Sequence, residues 1–70
     1  MHRVRVRSSN IASVGYDPDS AILEIEFNDG GVYQYSQVSE RHFRGLMTSG
    51  SVGGYFHRHI KGSYRYRQVR

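Results

Sequence analysis

Cysteine is absent from this chain of 70 residues. That excludes disulfide staples and any thiolate metal site. Tryptophan is absent too, and proline occurs only at Pro18. No apolar run approaches the ~20 residues of a membrane-spanning helix. The opening Met1-His2-Arg3-Val4-Arg5-Val6-Arg7 is basic but has no apolar stretch behind it, so it does not read as a signal peptide. The expected setting is soluble and cytoplasmic, without a membrane. The length allows a single domain, residues 1–70. A domain this small buries only about 60% of its unfolded surface, so dimerisation is one expected way to complete the core.

Charge is scarce in one sign at a time. Residues 1–7 hold Arg3, Arg5 and Arg7 and no acid, a balance of +3. Residues 8–35 hold Asp17, Asp19, Glu24, Glu26 and Asp29 and no base, −5. Residues 36–70 hold Arg41, Arg44, Arg58, Lys61, Arg65, Arg67 and Arg70 against Glu40, +6. The sum is +4. A clustered positive surface attracts polyanions at long range and gains from counterion release.

The apolar pattern predicts an α+β domain, with a three-stranded antiparallel meander followed by two helices on one sheet face. Ile11–Tyr16 reads as the first strand, and Asp17-Pro18-Asp19-Ser20 as a turn with Pro18 presetting φ. Ala21–Phe27 is the second strand: Leu23, Ile25 and Phe27 share one face, Glu24 and Glu26 a wet face with Ile22. Asn28-Asp29-Gly30-Gly31 reverses the chain, with positive φ expected at Gly30 or Gly31. Val32–Val38 is the third strand. A loop of Asp29-Gly30 alone pairs Phe27 with Val32. The favoured loop, Asp29-Gly30-Gly31, pairs Phe27 with Tyr33 and Ile25 with Tyr35, which sets both tyrosines on the apolar face.

Ser39 caps the first helix, with Glu40 suiting its positive end. Val38 and Phe43 form a staple. Phe43, Leu46 and Met47 face the sheet, and Gly50 ends the helix. Ser51 caps a second helix running through Lys61, with Val52, Phe56 and Ile60 as its buried stripe and Gly62 as its stop. Gly53 and Gly54 weaken its first turn by about 1 kcal/mol each relative to Ala. They therefore imply a close backbone approach. Segments 1–7 and 63–70 are basic arms, either extended or mobile.

Ser8-Ser9-Asn10-Ile11, Gly15-Tyr16, Leu23–Phe27, Gly30, Tyr33-x-Tyr35, Val38, Ser51-x-Gly53, Tyr55-Phe56, Ile60-Lys61 and Tyr64-x-Tyr66 form an ordered series. With it the chain resembles the KTSC domain family. That module is named for its place at the C-terminus of some lysyl-tRNA synthetases, and it also occurs as a small stand-alone bacterial protein. The resemblance implies RNA binding as the suggested role. Aminoacylation is not expected to come with it, because these 70 residues read as the module alone.

The leading expectation is a non-enzymatic module for RNA or another single-stranded nucleic acid. Its surface would be Tyr55, Arg58, Lys61, Tyr64, Arg65, Tyr66 and Arg67, with arginine on phosphates and tyrosine on bases. Tyr33 and Tyr35 either stack bases or complete the core. Ser51, Gly53 and Gly54 form an anion candidate for a nucleotide or phosphate, although the Gly-Lys-Ser/Thr ending of a Walker loop is missing. A protein-interaction or homodimer module is the remaining reading. His57 and His59 are two apart, not the four of a helical metal pair, so no metal and no other cofactor is expected. No nucleophile–base pair stands out for catalysis.

Overall fold

The alternation through Ile22–Phe27 gives one strand an apolar face and an acidic face, and the sheet is assembled on both of its sides. In the computed structural model, which describes all 70 residues, this strand is β3. The elements are β1 (Val4–Arg5), β2 (Ile11–Asp17), β3 (Ile22–Phe27), β4 (Val32–Tyr35), α1 (Glu40–Thr48), α2 (Val52–Tyr55) and β5 (Tyr66–Gln68). All neighbours are antiparallel, in the order β1-β2-β3-β4-β5. The sheet therefore has five strands rather than three. Both basic ends contribute a short edge strand, paired to β2 and β4. No helix is long and apolar enough to cross a membrane.

The β3–β4 turn has three residues, but they are Asn28-Asp29-Gly30. Glu26 pairs with Val32 and Ile25 with Tyr33, so both registers read from the sequence are replaced. Gly30 N–H closes the turn on Phe27 C=O at 2.9 Å, and Phe27 N–H donates to Gly31 C=O at 2.8 Å. Gly30 takes φ +94°, the conformation a bulged three-residue turn requires. Strand β4 stops at Tyr35, short of the expected Val38. Gln37 takes φ +58° and sends Val38 into the core, where its N–H reaches Ala21 C=O at 2.9 Å.

A bulge between Ile11 and Ser13 lets Ile11 and Val14, three apart, share the apolar face. The core there is Ile11, Val14, Leu23, Ile25, Tyr35 and Val38 beneath Leu46, Val52, Phe56 and Ile60. Phe43 and Met47 are only half-buried at its margin. Phe43 stacks on Tyr16, ring centroids 4.7 Å apart.

Both helix starts follow their caps. The Ser39 hydroxyl accepts from His42 N–H at 3.3 Å, and Ser51 from Gly54 N–H at 3.1 Å. After Tyr55 the second helix widens into a π-helical turn, Phe56–Ile60, closed by Lys61 N–H donating to Phe56 C=O at 2.9 Å. Gly62, at φ +81°, ends it. Gly53 does allow a close approach: a Cβ there would lie 2.6 Å from Asn10 Oδ1 and 3.0 Å from Ser8 Oγ.

The second sheet face is not the wet face expected from alternation. Glu24 is buried, at 6% exposure. It accepts from Arg3 Nη1 and from Gln34 Nε2, the latter at 2.8 Å. Arg3 reaches it across Gly15, which has no side chain to obstruct the path. Glu26 accepts from Ser13 Oγ at 2.8 Å and pairs with Arg70 at 3.1 Å. Burial alone would raise the Glu24 pKa. The Gln34 and Arg3 hydrogen bonds and the Arg3 charge outweigh it and hold the carboxylate below its ordinary value. The acidic middle of the sequence thus clamps both basic ends.

Candidate nucleic-acid interface

Register and alternation together build an aromatic cleft at the β5 side of the sheet. Tyr35 pairs with Leu23 on one side and with Tyr66 on the other. Tyr33, Tyr35, Phe27 and Tyr66 consequently share the helix-bearing face, and the π turn presents Phe56 to them. Phe56 meets Phe27 and Tyr35 edge-on, at centroid distances of 5.6 and 5.4 Å. Phe27 also meets Tyr33 edge-on at 5.5 Å. Tyr66 lies against Tyr33 and Tyr35 at 5.8 and 5.6 Å while remaining 61% exposed. The cleft has a volume of about 360 Å³, and Asn10, Asp29, His57 and Lys61 supply its polar rim. That size falls within the usual range for a small ligand.

Tyr35 is core and cleft wall at once. Burial, then the neighbouring Tyr33 and Tyr66, pushes its phenol up to about 12. Tyr33 is half-buried. Both tyrosines therefore pack with the core and line the cleft, Tyr33 with the more open ring position.

A second cleft, about 450 Å³ and mostly polar, adjoins the first. Arg7, Ser8, Ser9 and the Gly50–Gly54 stretch line it, and Asn10 and His57 line both clefts. The anion candidates Ser51, Gly53 and Gly54 lie here. Two of their groups are already engaged, because the Ser51 hydroxyl takes the Gly54 N–H.

The residues expected to form one basic, tyrosine-rich surface are dispersed. Lys61 and Tyr66 line the aromatic cleft. Arg58 lies over the second helix start, where a Cβ on Gly54 would stand 3.2 Å from its guanidinium. Tyr55 and Tyr64 gather with two histidines instead. Tyr55 OH is 3.3 Å from His42 Nδ1, its ring is 4.4 Å from His59, and Tyr64 is 6.0 Å from His42. Pairing of Gln34 with Arg67 places Arg67 on the opposite sheet face from Tyr66, where it donates to Gln34 Oε1 at 3.2 Å. Arg65 shares that parity and is exposed. No group of three or more His, Cys, Asp or Glu side chains is placed to hold a metal ion.

Sequence reasoning missed Phe27, Phe56, Asn10, Asp29 and His57 as cleft residues. The first two read as core, and Asp29 as turn. Their shared position depends on packing between distant segments and leaves no local signal.

Fold and site define a small α+β module: a five-stranded antiparallel sheet with its helices on one face and an aromatic cleft at one side. The model of the KTSC domain matches residues 7–64, and the chain belongs to the KTSC domain family. It is 39% identical over 70 residues to an uncharacterized protein of Stutzerimonas stutzeri, covering 99% of both chains. The same region is 33% identical to part of a lysine–tRNA ligase of Nostoc sp.; there the match covers 94% of this chain and 12% of the ligase. Among solved structures, a KTSC domain protein from Yersinia pestis superposes with a TM-score of 0.96 at 43% identity, over 99% of this chain and 97% of that one.

Proposed function

We propose that this chain is a non-enzymatic binding module for single-stranded nucleic acid, RNA foremost, and that the aromatic cleft is where a base stacks. The observation that carries this reading is Tyr66, a residue 61% exposed whose ring is held against Tyr33 and Tyr35 beside Lys61. Base–aromatic stacking contributes about 1–3 kcal/mol per base. Charge supports it as well. Arg3, Arg44 and Arg70 are engaged by carboxylates. Arg5, Arg7, Arg41, Arg58, Lys61, Arg65 and Arg67 make no ion pair and keep their charge available to phosphates. The named function of the Nostoc relative, ligation of lysine to tRNA, fits a module that works close to RNA. The adjoining polar cleft, with Arg7 and Arg58 nearby, is suited to a neighbouring phosphate.

Fluorescence anisotropy with a labelled single-stranded RNA at several salt concentrations tests the reading. Affinity is expected to fall with salt, with a log–log slope of roughly −0.7 per neutralised phosphate. Tyr66→Ala should weaken binding about tenfold at unchanged slope. Lys61→Gln should flatten the slope. No binding by the parent even at low salt, or parental binding by both variants, would refute it.

A further inference from the structure

One feature of the aromatic cleft runs against its charge. Asp29 is the only carboxylate on its lining, and it makes no ion pair. Its Oδ1 accepts the Gly31 N–H at 2.9 Å. That turn contact does not require a charge, because an asparagine side chain makes it equally well. In a cleft that also holds Lys61 and His57, an unpaired carboxylate repels the phosphates of a nucleic acid. Its chemistry suits a different part of the ligand, one rich in hydrogen-bond donors, since an ionised carboxylate only accepts.

Resting on the reading above, we propose that the cleft prefers guanine, with the Asp29 carboxylate accepting from the base's N1–H and 2-amino group. Guanine carries two adjacent donors on that edge, which a carboxylate can accept together. Adenine and cytosine present one donor next to an acceptor. Uracil presents one donor between two carbonyls, which a carboxylate repels. Asn10 complements this arrangement. Its Oδ1 accepts from Ser8 Oγ at 2.8 Å, which leaves its amide N–H groups to donate to acceptors such as guanine O6. Aromatic rings with an acid also attract organic cations, but Lys61 on the same cleft opposes a cationic occupant.

The test compares the parent with Asp29→Asn, which keeps the turn acceptor and removes the charge. Short oligouridylates carrying a single central G, inosine or A are titrated by anisotropy, and GMP and AMP are used as competitors. The parent is expected to bind the G oligomer at least about tenfold more tightly than the A oligomer. Inosine keeps N1–H but lacks the 2-amino group, so it should fall between them. Asp29→Asn should bring G and A within about twofold of each other without weakening the A oligomer. Tyr66→Ala should weaken all of them alike. Competition by GMP alone would identify the free nucleotide as a ligand; preference confined to the oligomers would identify RNA. RNA binding without base preference in the parent, or preference retained by Asp29→Asn, overturns the guanine assignment and leaves the binding module standing. Absence of binding by every oligomer and nucleotide overturns both.

Discussion

Replacing Arg3 by Met should destabilise this domain strongly, although Arg3 lies only two residues from the start. Its guanidinium is the cationic partner of Glu24, whose side chain is 8% exposed. Its Nε also donates to Ser13 Oγ at 2.9 Å. Breaking a fully buried ion pair costs about 3–5 kcal/mol, mostly because the remaining charge is left uncompensated. Here Gln34 still donates to Glu24 and Arg3 itself is 24% exposed, so the expected loss is lower, about 2–3 kcal/mol. For a domain of this length that is about 8–24 °C in Tm. The sign of the pH dependence follows from the depressed Glu24 pKa. In the parent, its stabilisation is present above the unfolded pKa of about 4.3 and is lost as pH falls through the lower folded value. In Arg3→Met, burial is opposed chiefly by Gln34, with a smaller contribution from the N-terminal charge, so the deficit is largest near neutral pH and shrinks as Glu24 takes up a proton. Adding Glu24→Gln should recover much of the loss, since an amide needs no counter-charge. Urea unfolding of parent, single and double variants, near neutrality and at about pH 3.5, measures all of this. A single variant as stable as the parent, or a deficit equal at both pH values, would refute the clamp.

The core and the turn give further expectations. Phe56 is 4% exposed and meets two rings edge-on, so Phe56→Ala should cost about 3–5 kcal/mol. That approaches the whole stability of a 70-residue domain, roughly 4–10 kcal/mol; an undiminished melting transition would contradict the packing. Gly30 has φ +94° with open space where a Cβ would stand. Gly30→Val should therefore cost about 1–3 kcal/mol through backbone strain alone, and Gly30→Asn less; equal melting temperatures for the two would show that φ is not the cause.

Local chemistry was enough to place much of this fold. The alternation of Leu23, Ile25 and Phe27, the caps Ser39 and Ser51, the stripe Val52, Phe56 and Ile60, and the demand for positive φ near Gly30 all act within a few residues, and each is found in the structure. The ordered series from Ser8 to Tyr66 likewise carried the family. The hairpin register was different in kind. Moving the loop from residues 29–31 to 28–30 shifts every pairing by two along β4, and two is the side-chain period. Tyr33 and Tyr35 stay on the apolar face in either case, so hydrophobic pattern cannot distinguish them; turn hydrogen bonding does. The fate of the arginines was also hidden. Arg3 and Arg70 reach Glu24 and Glu26 only after β1 and β5 join the sheet from opposite ends of the chain. In β5 the same alternation that puts Tyr66 in the cleft carries Arg67 to the far face. The cleft itself gathers Asn10, Asp29, Phe56 and Tyr66 from four distant segments. Strand periodicity decides which side of the sheet a residue occupies, but only the tertiary pairing decides which residues it meets there.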